Sequence, residues 1–405
     1  MNAASDPPIP SPPASRWLIA NLLAAISYGL LSMTVCLPSM PEWTAQFAAT
    51  QADVQLTFSS FVVAFGAAQL VYGPLSDRYG RRRLLGAGFL LALAGSLAGA
   101  LADSLAMLVA ARFVQGAGAA AGMVLGRAMV QDFFSGADRP RVMAYTGMIL
   151  GVCPPLATLV GGQVHVYIGW RANFVLAALL AALLLVTTRL ALPAEARRAP
   201  AGHWFGEFLA AYATLLRLPA FLGYTAMLAM CTGTFYAFLA GAPVVLAGYG
   251  VGPATIGWFI MFPPSCYILG NFLVSRLVRH MSDHRLMLLG QFTALSGIGI
   301  VLVLALAGVH SPFAVAAPLA LLGLGHGLMM PSTLAGTVSL VPALAGAAAA
   351  GGGLAQQLFG AVGGYLVGLV PHDDAINLAL LMGLFMSLSL VSQRVLLSRR
   401  AARAG

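Results

Sequence analysis

Twelve apolar runs, each close to the length of a bilayer crossing and parted by short polar turns, dominate this chain of 405 residues. They lie near 17–37, 54–75, 84–101, 105–131, 142–162, 169–190, 219–246, 253–275, 286–308, 312–334, 345–369 and 375–396. A helix that spans the hydrocarbon core needs about 20 apolar residues. Only 8% of the residues are charged against 60% hydrophobic, and the mean hydropathy is +0.88; a soluble domain carries about 25% charged residues. The expected fold class is therefore an all-α membrane protein of twelve transmembrane helices.

The charges orient these helices. All 21 basic residues are arginine, and the net charge is +9. Four of the arginines fall within Gly73-Pro74-Leu75-Ser76-Asp77-Arg78-Tyr79-Gly80-Arg81-Arg82-Arg83, between the second and third runs. Such a cluster cannot sit in hydrocarbon at about 2.5–3.5 kcal/mol per charge, and clusters beside a span stay cytoplasmic. With both termini in the cytoplasm, 18 of the 21 arginines fall on that side, Arg171 lies outside, and Arg112 and Arg127 lie within the membrane. The positive charge thus reads as membrane topology, with the lipid bilayer as partner and no nucleic acid. Residues 1–15 hold five prolines and no signal-peptide pattern, so they read as a disordered cytoplasmic tail. The longest polar stretch, 191–218, divides a six-run half at 16–190 from another at 219–396, and 397–405 forms a second tail. Gly270, Asn271, Arg276, Arg279 and Arg285 stand where a second arginine turn belongs, as a decayed copy. Beyond this, the repeat rests on spacing, since no residue-level identity between the halves stands out.

Gly73, Asp77, Arg78, Gly80, Arg81 and Arg82 fit the pattern Gly-x-x-x-Asp-Arg-x-Gly-Arg-Arg without a gap. The stretch resembles the loop motif of the major facilitator superfamily between its second and third helices. Arg112-x-x-Gln115-Gly116-x-Gly118 resembles the fourth-helix motif of that family. Gly126 to Asp132 resembles the Bcr/CflA branch of bacterial drug exporters, with Gln131 where that branch usually has arginine. Gly151, Pro154, Pro155, Gly161 and Gly162 resemble the fifth-helix antiporter motif, with Ala157 and Thr158 in place of its usual Gly-Pro. The resemblance implies two pseudo-symmetric six-helix bundles with a substrate site between them near the midplane. It also implies alternating access and efflux across a bacterial inner membrane, driven by a proton gradient, without a cofactor and within one chain working as a monomer. In that scheme the Asp77–Arg83 turn is a latch that closes the cytoplasmic side of the outward-facing state.

No nucleophile pattern, nucleotide loop or metal spacing marks an enzyme. Cys36, Cys153, Cys231 and Cys266 lie in apolar runs without Cys-x-x-Cys spacing. An ionisable group inside a span is a functional candidate by default. The family motif turns Arg112 toward the central cavity, where it would bind an acidic or carbonyl group of a substrate or favour the ionised form of a nearby acid; the competing reading is an arginine that hydrogen-bonds backbone carbonyls. Gln115 lies on the same helix face. Arg127 is expected to snorkel outward or to pair with Asp132. All twelve acids fall in tails, loops or span ends. Related drug/proton antiporters often carry carboxylates in the first helix, where this chain offers Asn21, Ser27, Tyr28, Ser32 and Thr34. An acid-free cavity suits neutral or anionic, hydrogen-bonding molecules over lipophilic cations. A transported proton would then ride on Asp77, Asp132, a substrate group or His326. Tyr28, Tyr236 and Gln356, with Phe58, Phe61, Phe65, Tyr145 and Trp258, are further pocket candidates. A phenicol-type drug and a secreted metabolite such as a siderophore both remain open as substrates, as does uptake. A non-transporting sensor would need a signalling domain, for which 191–218 is too short.

Overall fold

A computed structural model describes residues 16–135, 138–192 and 204–397. The tail at 1–15, nearly all of that at 397–405 and residues 193–203 of the linker lie outside the described residues. The described chain is helical. Its long helices are α1 (Arg16–Thr34), α2 (Gln51–Tyr79), α3 (Arg81–Ala100), α4 (Leu105–Phe133), α5 (Asp138–Tyr167) and α6 (Arg171–Ala191). After the linker come α7 (Pro219–Gly248), α8 (Pro253–Leu277), α9 (Asp283–Leu306), α10 (Pro312–Ser339), α11 (Ala345–Gly368) and α12 (Ile376–Ser392). By length and composition 11 of them can cross a membrane. The remaining one, α11, carries eight glycines and two glutamines in its 24 residues, which lowers its hydropathy.

Local chemistry moves several expected boundaries. The stretch between the first two apolar runs contains a short helix, Met40–Gln46. Asp53 belongs to α2, where its carboxylate accepts from the Thr50 N–H while the Thr50 hydroxyl accepts from the Asp53 N–H, a reciprocal cap of the first turn. The eighth span breaks at Met261 into Pro253–Ile260 and Phe262–Leu277, because Pro263 and Pro264 bring no N–H to the ladder. The arginine turn is hardly a loop: α2 runs through Pro74 to Tyr79, and Gly80 alone, at φ +89°, joins it to α3. That left-handed conformation favours glycine. The linker includes a helix, Trp204–Leu216, which lies on the first turns of α11: Tyr212 covers Gly351, and Leu215 meets Phe221 and Ala348.

The packing repeats with an offset of six helices. α4 lies against α2 and α3 as α10 lies against α8 and α9, and α1 meets α5 as α7 meets α11. The repeat reaches individual residues. Gly88 and Gly95 on α3, seven residues apart, press on α4, as Gly290 and Gly297 on α9, also seven apart, press on α10. Gly116 on α4 meets the Phe61 carbonyl of α2, and Gly323 on α10 meets the Pro263 carbonyl of α8. Small residues let backbones approach where lipid gives helices no hydrophobic drive to associate. The outer helices turn apolar side chains outward, among them Leu90 and Leu97 on α3, Leu179 and Leu183 on α6, Val303 on α9 and Leu384 on α12. This belt faces the bilayer.

The two halves meet along α2 with α11 and α5 with α8. One face of the bundle carries Arg16, Arg81, Arg82 and Asp132; the opposite face carries Trp43, Trp170 and Arg171. All hydrogen bonds that join the halves among the described residues lie toward the latter face: Gln55 to the Ala240 carbonyl (3.2 Å), Ser59 to the Ala361 carbonyl (2.9 Å) and Gln163 to the Ala254 carbonyl (3.0 Å). The segment Leu37–Ser39 and the helix Met40–Gln46 plug the same end, with Trp43 buried against Trp170 and Phe174. The protein is thus sealed on the arginine-poor face. Gly116→Val and Gly323→Val should each force a crowded helix pair apart, at about 1–3 kcal/mol. Thermal unfolding in detergent should show a lower midpoint for both; an unchanged midpoint in either would remove that contact from the repeat.

Candidate functional site

A cavity of about 350 Å3 lies between the halves, at the lower end of the usual range of about 300–1,000 Å3 for small-molecule sites. Its walls come from α1, α4 and α5 on one side and α7, α8, α10 and α11 on the other. Tyr236, Gln356 and His326, all expected from sequence, line it. Tyr236 donates to Gln357 Oε1 (3.2 Å), and Gln356 donates to Thr232 (3.1 Å). His326 is buried with the Phe235 ring beside it, and its Nε2 finds no hydrogen-bond partner among the described residues.

Arg127 is the one cation among the described residues of the wall. Its side chain is exposed to the cavity, and no hydrogen bond or ion pair to another described residue holds it. The expectation that it pairs with Asp132 is corrected: Asp132 lies 3.0 Å from Arg81 of the arginine turn. No carboxylate is among the described residues lining the cavity.

Arg112 occupies the place foreseen for a structural arginine instead of the cavity wall. It is 1% exposed. Its Nη1 donates to the Ser32 carbonyl and to Gln115 Oε1 (both 2.7 Å), Nη2 to the Met33 carbonyl (3.2 Å) and Nε to the Thr57 carbonyl (3.3 Å). The Phe61 ring lies 4.3 Å beneath the guanidinium. Ser32 and Met33 sit in the last turn of α1, whose carbonyls lack helical donors, so Arg112 caps α1 and ties it to α2 and α4. Gln115 is likewise buried, passing the network on to Ser96 (2.8 Å). Tyr28, expected in the pocket, instead donates to the Ala177 carbonyl (3.2 Å). Asn21 donates to Thr187 of α6. Both are buried inside the first half.

The fifth-helix motif divides into two jobs. Gly161 meets the Val35 carbonyl within its own half, while Gly162 meets the Pro253 carbonyl of α8 across the seal. Pro154 and Pro155 deprive the Gly151 carbonyl of a donor at both the third and the fourth following residue. Gly151 lines the cavity and, having no side chain, does so through its backbone. In the arginine turn, Arg82 donates to the Arg189 carbonyl and Arg78 lies over the Tyr79 ring. A Cβ at Gly73 would meet nothing within 4 Å. The side chain of Asp77 lies outside the described residues. Sequence reasoning passed over Cys231, Thr232, Tyr267 and Gln357 in the cavity wall; polar residues at mid-depth of α7, α8 and α11 were the available signal.

Residues 18–364 match the family model described as Major Facilitator Superfamily. The chain belongs to the major facilitator superfamily. It is a multi-pass membrane transporter and not an enzyme. A chloramphenicol resistance protein of Pseudomonas aeruginosa is 26% identical over 88% of this chain and 86% of its own. A bicyclomycin resistance protein homolog of Haemophilus influenzae is 27% identical over 95% and 99%. Among solved structures, the peptide transporter POT in complex with sulfate superposes at a TM-score of 0.76, with 17% identity, over 98% of this chain and 97% of that one, a likeness of fold alone.

Two predictions separate the arginines and test the seal of this facilitator. Arg112→Ala leaves buried carbonyls without donors, at about 1–3 kcal/mol each, and should lower the unfolding midpoint by several degrees; Arg127→Ala should leave it unchanged. The reverse order would exchange their roles. Gly162→Leu should wedge α5 from α8. In a cysteine-free variant carrying Gln356→Cys in the cavity wall, membrane-impermeant thiol reagents should label position 356 faster from the arginine-poor side; equal labelling would mean that another contact makes the seal.

Proposed function

We propose that this transporter exports small polar organic molecules across a bacterial inner membrane by alternating access, with protons moving the other way. The observation that carries the reading is Arg127, an exposed cation in a cavity whose described walls hold no acid. A fixed positive charge in a confined, weakly screened space disfavours lipophilic cations and favours neutral or anionic groups that accept hydrogen bonds. The Gly151 carbonyl adds an acceptor for a substrate hydroxyl or amide. Together they select a molecule with both kinds of group, such as a phenicol, and the relative named for chloramphenicol resistance supports that class.

The arginine-rich face is assigned to the cytoplasm, with both chain ends on it, because arginine clusters beside spans stay inside. The arginine-poor seal then closes the cavity to the outside, leaving an inward-facing state ready to load from the cytoplasm. In the opposite state, the turn from Gly73 through Asp77, Arg78, Gly80, Arg81 and Arg82 is the proposed latch; the Arg81 to Asp132 ion pair fastens that turn to the end of α4. His326 is the proposed proton carrier. A secreted metabolite such as a siderophore satisfies the same chemistry, but the modest volume favours a compact molecule.

Accumulation assays in cells lacking other exporters test the reading. Cells expressing the protein should hold several-fold less chloramphenicol than empty cells, and an uncoupler should abolish the difference. Ethidium accumulation should be unchanged. Arg127→Ala and His326→Gln should each restore chloramphenicol accumulation with the protein still in the membrane. Ethidium export with retained chloramphenicol would overturn the proposed selectivity.

A further inference from the structure

A second crevice, of about 500 Å3, lies at the arginine-rich rim between the first turns of α1 and α5 and outside the cavity between the halves. Arg16 and Arg141 line it together with Asp138, and Ile19, Leu23 and Val142 form its apolar wall. The Arg141 Nε donates to the Tyr145 hydroxyl (3.0 Å), which fixes the side chain along α5 while its terminal nitrogens remain available.

The direction in which this crevice opens follows from helical phase. Asp138, Arg141, Tyr145, Met148, Val152 and Leu156 recur every three or four residues and so share one face of α5. Met148, Val152 and Leu156 are 59%, 40% and 53% exposed, as side chains that meet lipid are. The cavity-lining residues Gly147, Leu150, Gly151 and Pro154 occupy the opposite face of the same helix. One stripe therefore runs from charged groups at the rim to an apolar track in the bilayer. Trp17, 82% exposed beside Arg16, sits where aromatic residues mark the membrane interface.

We propose that this crevice binds one anionic phospholipid of the surrounding membrane, with phosphatidylglycerol as the matching headgroup. Arg16 and Arg141 take the phosphate diester, and one acyl chain follows Met148, Val152 and Leu156. Two arginines and one aspartate leave a single positive charge for the single negative charge of the diester. Asp138 supplies an acceptor for the glycerol hydroxyls, which a phosphatidylcholine headgroup lacks. The site depends neither on the direction of transport nor on the substrate.

Native mass spectrometry of the full-length protein in detergent, offered equal amounts of phosphatidylglycerol and phosphatidylcholine, tests this. One retained phosphatidylglycerol, preferred about tenfold, is expected from two interfacial arginines. Arg16→Ala with Arg141→Ala should erase the preference, whereas the paired lysine substitutions should keep most of it, since charge and not guanidinium shape dominates at an open rim. Arg279→Ala, outside the crevice, should change nothing. Equal retention of the two lipids by the unaltered protein overturns the proposal, and so does a preference that survives in a folded double alanine variant. Should that variant fail to fold, the competition between lipids in the unaltered protein decides.

Discussion

Inside a bilayer a polar group has no water to fall back on, and the organisation of this protein follows from how each such group is satisfied. The last carbonyls of α1 lose their helical donors where the chain turns into the plug over 37–46. Left alone, each would cost about as much as a lost buried hydrogen bond. Arg112 removes that cost by donating to the Ser32 and Met33 carbonyls, while its Nε reaches across to the Thr57 carbonyl of α2, and the planar fork of a guanidinium suits several carbonyls better than an ammonium would. The turn into the plug and the packing of α1 on α4 meet at this one side chain.

The same constraint explains why the fold was legible in the sequence and the two intramembrane arginines were not. Twelve apolar runs, an arginine-rich turn and glycines at helix crossings are local signals, and each names its element directly. Arg112 and Arg127 are separated by about four turns of one helix, so periodicity sets them on nearly the same side of α4. What distinguishes them is depth. Near the sealed end α1 and α2 close over that side and bury Arg112; further toward the arginine-rich face the wall opens and Arg127 meets the cavity. Depth is a property of the assembled bundle, and a motif read along one helix does not contain it. Asp132 was misassigned for a related reason: its partner Arg81 is distant in sequence and becomes a neighbour only when α3 packs on α4.

The internal repeat shows the opposite case, of information present but diluted. Gly88, Gly95 and Gly116 have counterparts in Gly290, Gly297 and Gly323 that make the same contacts, yet these are a handful of positions among six helices. Close backbone approach requires glycine at the crossing points, whereas a lipid-facing position accepts any apolar residue. Arg112 lies three residues before Gln115 and four before Gly116; the residue four before Gly323 is Leu319. The halves thus share a skeleton of contacts while the charged cap belongs to one half alone; the buried polar contacts of the other half, such as Gln291 to Ser389 and Tyr236 to Gln357, join uncharged side chains.

A cavity with one fixed cation and one histidine also constrains how substrate and proton can be coupled. Exchange requires that each weaken the binding of the other, and that coupling is reciprocal. A substrate carboxylate on Arg127 adds negative charge to the cavity and so favours a proton in the same space, which drives the two in the same direction. An uncharged substrate that donates a hydrogen bond to a bare ring nitrogen of His326 competes with the proton for that lone pair, which drives them in opposite directions. An anion, moreover, leaves a negative-inside cell with a gain of about 2.3 kcal/mol per charge per 100 mV and needs no proton to drive it. Proton exchange and a neutral, hydroxyl-bearing substrate therefore belong together, and export of an anion belongs with the membrane potential. Of the substrates that an acid-free cavity admits, the neutral polar ones are those for which His326 has a use.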